Sequence, residues 1–184
     1  LSLHDALPIY YFCVNPKLNV GTSDLRYTSF TYPFVMNGTV RTLLGKYNRC
    51  NKLNQTTAYI NTMRYAGAYY IVAEAYCRKG ETEAARVLIN HYWHCIGVSE
   101  APAGITNQAL LELILTDKQR EFVGEGVNFF DLKRTHLASL PRYSQWGTSA
   151  SSSISSTDYR WNFPIPVSEY RFNSVEQNAG WPSN

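Results

Sequence analysis

A mainly α-helical fold, with helix hairpins at its centre and irregular, loop-rich segments at both ends, is predicted by three observations. Apolar residues recur at helical spacing between about residue 60 and residue 136. Glycines close those periodic runs, where a left-handed residue stops a helix. The flanks, residues 10–58 and 137–184, are rich in Tyr, Thr, Asn, Ser, Gly and Pro and show no sustained helical period. A chain of 184 residues is long enough for one ordinary domain, and 45% hydrophobic against 17% charged residues excludes disorder.

The opening "LSLHDALPIY" resembles nothing that follows, and residues 1–9 are expected to be a boundary or non-native segment outside the fold. Residues 10–58 read as loops with one or two short strands, in "YTSFTYPFV" and "GTVRTLLGKY". In "TMRYAGAYYIVAEAYCRKG", Tyr65, Tyr69, Val72 and Tyr76 form one apolar stripe, and Ala66, Tyr70, Ala73 and Cys77 form a second beside it. A helix apolar over so wide an arc lies between neighbours. Lys79 suits its negative end and Gly80 stops it. "ETEAARVLINHYWHCIG" restarts at once with Glu81 and Glu83, turns Ala85, Leu88, Ile89, Tyr92 and Ile96 inward, and ends at Gly97. So short a connection makes the pair an antiparallel hairpin.

This hairpin resembles a tetratricopeptide repeat. Tyr69, Val72, Ala73 and Tyr76 fill its large, large, small and aromatic slots, and Ala85 and Ile89 match the second helix. One good copy is present, and isolated repeats are not stable, so its neighbours are expected to be degenerate or missing. A third helix is predicted from Asn107 to Val123, capped by Thr106 or Asn107, with Leu110, Leu111, Ile114, Leu115 and Phe122 inward. A short helix follows from Asn128 to Thr135. "GTSASSSISST", residues 147–157, reads as a low-complexity loop, and Pro164, Pro166 and Pro182 require an extended or turn-rich tail.

Several function classes are excluded or weakened by composition. The net charge of +3 comes from scattered basic residues, whereas a nucleic-acid surface needs a basic stripe with interleaved aromatics. Cys13, Cys50, Cys77 and Cys95 lack zinc-ligand spacing and are read as buried free thiols, Cys77 and Cys95 lying too far apart along the hairpin to bridge. No apolar run approaches the ~18 residues that span a bilayer. No phosphate loop, nucleophile elbow or metalloprotease pattern occurs.

Three stretches in order carry a family resemblance. "LTDKQREFVGEGVNFFDLKRT" places Arg120, Glu121, Phe122, Glu125, Gly126, Phe130, Asp131, Leu132 and Arg134 at matching positions of the closing signature of SusD/RagB proteins. "MRYAGAYYIVAEAY" is similar to a second signature through Arg64, Glu74, Ala75 and Tyr76, and "FPIPVSEYRFNSVEQNAGW" to the family's last segment. Gly67, Gly124 and the run Thr116, Asp117, Lys118 depart from the pattern.

On this resemblance, residues 10–184 are the C-terminal portion of a SusD-like domain, with a helical core over 60–136 and a loop-rich tail over 137–184. It implies a surface-facing, lipid-anchored protein of the outer membrane. Such a protein captures an oligosaccharide or other nutrient without breaking a bond and passes it to a SusC-like TonB-dependent transporter, with no cofactor. It also implies that the ligand face is built largely from segments nearer the N-terminus than those read here.

The signature itself reads as a structural corner. Glycines break the helix, Phe129 and Phe130 pin the next one to the core, Asp131 favours its positive end, and Lys133 with Arg134 favours its negative end. Asp117, Glu121 and Glu125 share one helical face. Paired carboxylates could serve a glycosidase, but such enzymes flank a sugar from two sides, so ion pairing with Arg120 and Arg134 is expected instead. His91, His94 and Cys95 could share a metal but lack a fourth ligand, and no metal site is expected.

Sugar binding by a non-enzyme uses aromatic faces beside hydrogen-bonding groups. Trp146 with Tyr143 and Arg142, and Trp161 within "YRW", have that composition; loop anchoring explains either cluster equally well. The alternative function is a helical-repeat adaptor binding peptides in a groove, which predicts further clean repeats.

Overall fold

The computed structural model describes residues 23–36, 38–44, 63–136, 140–143, 150–170 and 174–182. The chain divides into two compact units, Leu1–Asn128 and Phe129–Asn184. That division falls inside the span 60–136 expected to form one helical core.

The first unit is mainly helical. Its elements are α1 (Leu25–Phe30), a hairpin of β1 (Thr31–Met36) and β2 (Thr39–Leu44), α2 (Tyr65–Arg78), α3 (Thr82–Cys95) and α4 (Asn107–Glu121). The antiparallel register runs from Thr31 opposite Leu44 to Met36 opposite Thr39, and Gly38 takes the positive φ of 74° that so tight a turn demands. The two short strands fall where they were expected; α1 was not foreseen, because six residues are too few to display a period.

Helices α2 and α3 form the expected hairpin. Tyr69 stacks on Tyr92 with ring centroids 5.2 Å apart, the two lying at nearly the same sequence distance on either side of the turn at Gly80, so the helices run antiparallel. Ala73 and Ala85 are fully buried between the two axes, and their small size lets the helices approach. Tyr70, Cys77, Ile89 and Trp93 fill the space around them, and Leu110, Leu111, Ile114 and Leu115 of α4 cover the pair. Of the two stripes on α2, the one through Ala66, Tyr70, Ala73 and Cys77 is buried. The other is partly exposed: Tyr65 is 80% accessible and Val72 42%. Trp93 and Asn90 lie on the buried face of α3, although neither was assigned there.

Polar side chains fix the joints. Asn107 donates from Nδ2 to the Cys77 carbonyl at 2.8 Å and accepts from Thr82 Oγ1 at 2.9 Å, tying α4 to the hairpin turn. Buried Asn90 pairs with both backbone groups of Ala101, at 2.8 and 3.0 Å, and so anchors the α3–α4 connection. Thr106 Oγ1 accepts from Ala109 N and caps α4. Cys77 is buried and free as expected, but Cys95 is exposed; Cys13 and Cys50 lie outside the described residues.

Helix α5 (Val127–Thr135) leads into the second unit, which also holds β3 (Leu140–Tyr143), β4 (Ala150–Ile154), one 3₁₀ turn (Tyr159–Trp161) and α6 (Val167–Tyr170). The serine-rich run was expected to be a loop, but Ala150–Ile154 pairs antiparallel with Leu140–Tyr143. Serine has weak strand preference, and the partner strand supplies what local propensity does not. Leu132, Ile154 and Trp161 form the core of this unit, with Phe129 packed against them. Phe130, expected to be pinned inward, is 67% exposed.

Asp131 is the fifth residue of α5, not its opening one, and pairs with Arg134 at 2.6 Å. The tail was expected to be extended or turn-rich; residues 163–166 carry no regular structure, but α6 follows Pro166 directly. Gln177 clamps both backbone groups of Ile165, and Asn178 donates to the Phe163 carbonyl at 2.7 Å. Among the described residues no helix is long and apolar enough to cross a membrane.

Candidate functional site

Residues Phe130, Lys133 and Arg134 recur at three- and four-residue spacing along α5 and so share a face. His136 follows the helix end with φ of 52°, the left-handed conformation that usually belongs to Gly or Asn. This turns its ring toward the segment after β4, where Nδ1 lies 3.2 Å from the Ser156 carbonyl. A carbonyl accepts, so that nitrogen carries the proton. Ser156 through Tyr159, with Trp161 and Asn162, close the opposite bank, and the resulting open depression has a volume of about 620 Å³. That size lies within the range of small-ligand sites.

Ring faces dominate its apolar part. Phe130 is 67% and Tyr159 44% exposed, whereas Trp161, at 5%, forms the floor. The Trp161 indole donates to the Ser155 carbonyl at 2.7 Å, and its ring packs 5.4 Å from that of Phe129.

Charges on the banks are mostly matched. Arg134 is held by Asp131. Asp158 accepts from the Arg160 backbone N–H at 2.9 Å and from its guanidinium at 2.8 Å. Hydrogen bonding from the Arg160 side chain, then from its backbone, brings the Asp158 carboxyl down to about 2 from 3.8. Lys133 has no ion-pair partner among the described residues.

The carboxylate face of α4 forms a different kind of centre, inside the first unit. Buried Arg26 places Nη2 2.6 Å from Asp117 and 2.7 Å from Asp24, and Nη1 3.3 Å from Glu121. Arg64 reaches Glu121 Oε1 at 2.6 Å and Glu125 at 3.2 Å, and lies over the Phe122 ring at 4.7 Å. Tyr70 and Trp93 donate to the same Asp117 oxygen, the indole at 2.7 Å.

Burial opposes the charge on Arg26, but Asp24 and Asp117 outweigh it and raise its pKa above the ordinary value. Burial raises Tyr70 well above the phenol value, and Asp117 adds to the shift. Asp117 and Glu121 are each 2% exposed and surrounded by donors. Such a matched array holds segments together and offers no open face to a substrate.

The expected site residues are therefore dispersed. Arg64, Glu121 and Glu125 meet in the buried centre, with Arg120 3.7 Å from Asp117. The principal partners of the α4 carboxylates are Arg26 and Arg64; of the two expected, Arg120 contributes this longer contact and Arg134 pairs with Asp131. Glu74 binds Arg78 at 2.8 Å, and Gly126 supplies a φ of 75° at the corner before α5.

Trp161 lines the depression. Arg142 and Tyr143 lie on β3, their side chains outside the described structure, and Trp146 lies outside the described residues. Of His91, His94 and Cys95, weighed as metal ligands and set aside, His94 faces Glu100 at 3.4 Å. Sequence reasoning missed Asp24 and Arg26, although "TSDLR" carries the Ser-Asp signal of a helix start. It also missed Lys133, His136 and Tyr159 as one group, since their meeting is tertiary.

The profile of the SusD family matches residues 14–181. Among solved structures, a SusD superfamily protein from Bacteroides vulgatus ATCC 8482 is similar at 25% identity and a TM-score of 0.68, over 88% of this chain and 36% of that one. A SusD-like carbohydrate binding protein from the same organism is similar at 19% identity and a TM-score of 0.66, over 89% and 39%. A SusD-like protein from Bacteroides fragilis NCTC 9343 aligns at 23% identity and a TM-score of 0.57, over 76% and 30%. The chain thus spans between 30% and 39% of the length of these structures. No curated protein sequence matches it.

Proposed function

This chain belongs to the SusD family, and from that premise we propose that it forms part of a non-catalytic glycan-capture protein. The protein is lipid-anchored at the surface of the outer membrane and passes its oligosaccharide to a SusC-like TonB-dependent transporter. The observation that carries this reading is the family match over residues 14–181. The named activity of the carbohydrate binding relative from B. vulgatus supports it.

The chemistry of the depression is compatible with capture. Exposed Phe130 and Tyr159 offer faces on which the CH surface of a sugar ring can stack, and Asn162, Thr157 and Ser156 offer groups for hydroxyls. The α4 carboxylates are enclosed by Arg26, Arg64, Tyr70 and Trp93, unlike an acid–base pair flanking a glycosidic bond. A peptide-binding adaptor would need several stacked repeats to shape a groove, and the described residues hold one helix hairpin of that kind.

The test is calorimetry of the intact protein carrying this chain against neutral and acidic oligosaccharides, with chromatography of each sugar afterwards. Expected are saturable binding of at least one oligosaccharide, no new reducing ends, and co-purification with a TonB-dependent transporter. Absence of binding across the panel, or cleavage of the bound sugar, overturns the reading.

A further inference from the structure

The depression of the second unit has a charge pattern that a neutral sugar would not require. Its arginine on α5 is occupied by Asp131, and its carboxylate Asp158 is occupied by Arg160. Lys133 is left, among the described residues, as a cation without a carboxylate, in a depression that an exposed phenyl ring and an exposed phenol ring also line. His136 commits Nδ1 to the Ser156 carbonyl, which leaves Nε2 as its second hydrogen-bonding atom. A lysine in a concave, aromatic-lined surface is a point charge suited to an anion carried by a stacked ring.

We propose that this depression is a subsite for a saccharide bearing an anionic group, a uronate carboxylate or a sulfate ester, with Lys133 as the anion contact and Phe130 and Tyr159 as the stacking faces. The proposal rests on the glycan-capture reading and narrows its ligand class. The pairing of Asp158 with Arg160 serves the same end, because it keeps a lining carboxylate from repelling the ligand. The left-handed backbone at His136 brings a further polar group to the rim.

Three probes separate the possibilities when titrated into the intact protein: trigalacturonate, a sulfated κ-carrageenan tetrasaccharide and neutral β-1,4-galactotriose. At low salt an acidic probe is expected to bind about tenfold more tightly than the neutral one, as a single well-placed charge pair allows. The advantage should shrink at about 0.3 M NaCl through screening. Lys133→Gln should abolish the acidic preference, and Lys133→Arg should retain most of it, which also shows that the site tolerates substitution. Phe130→Ala and Tyr159→Ala should weaken all binding. Whichever acidic probe binds better identifies the anion.

Equal affinity for acidic and neutral probes, or a preference that survives Lys133→Gln, overturns the proposal. Tight binding of the neutral probe alone sinks this subsite and leaves glycan capture standing. Binding of none sinks both.

Discussion

Asp158 does two jobs with one carboxylate. It caps the 3₁₀ turn through the Arg160 N–H, and it clasps the Arg160 guanidinium along Nε and Nη2. All these partners favour the ionised form, so the folded pKa falls to about 2, below the ordinary 3.8. The sign follows: the contribution to stability is present above the unfolded value and is lost as pH falls from there toward 2. Carbon-detected NMR of the side-chain carboxyl is expected to show a midpoint near 2, rising only part of the way toward the ordinary value in Arg160→Ala, which loses the guanidinium and keeps the backbone N–H. A wild-type midpoint near 3.8 would mean that the clasp does not persist in solution. Arg26 shows the same logic in a buried setting. Its planar fork meets Asp24 and Asp117 together, a geometry that lysine's single ammonium could not match.

At the scale of elements, what could be read from the chain alone was what local chemistry decides. Helices α2, α3 and α4 announce themselves through period, and Gly80 and Gly97 through their place after each run. Strand β4 did not, because serines say little until a partner strand is present. The Asn-Gly pair at 37–38 carries a hairpin signal of the kind that closes a two-residue turn. The depression was illegible for a deeper reason: its lining comes from α5 and from the segment 156–162, and no spacing rule joins them.

One closing element makes a sharp prediction. Gly180 has φ of 87°, and a methyl group there would run into the Tyr159 ring, whose near atoms include its own Cβ and so cannot swing away. Gly180→Ala therefore combines backbone strain with a clash and should cost about 2–3 kcal/mol. Gly104→Ala has the same sign of φ but open space around it, and should cost about 1 kcal/mol. Urea unfolding midpoints of the two variants provide the check; equal losses would show that the Tyr159 approach is not tight.

On the scale of the whole chain, stability is tied to a few buried polar groups that collect distant segments of the first unit. Asp24, Arg26, Arg64, Tyr70, Trp93, Asp117 and Glu121 all contribute to one network. Nearby Tyr92 is held above the ordinary phenol value, first by burial and then by Glu121. Tyr70 is raised still more clearly by burial and Asp117.

These shifts set how the protein should respond to alkali. A raised folded pKa means that the contribution is complete below the unfolded value of 10.0 and is lost as pH climbs beyond it, because the unfolded chain ionises first. Stability should then fall by up to about 1.4 kcal/mol for each pH unit and each withheld tyrosine.

Tyrosinate absorbance should rise in two stages, exposed rings first and Tyr70 with Tyr92 upon unfolding. Tyr70→Phe should lose about 1–2 kcal/mol at neutral pH, since Asp117 forfeits a donor, yet show a shallower decline above pH ~10. If every tyrosine titrates together near 10 while the helical signal persists, water reaches the network and its enclosure by α2, α3 and α4 is wrong.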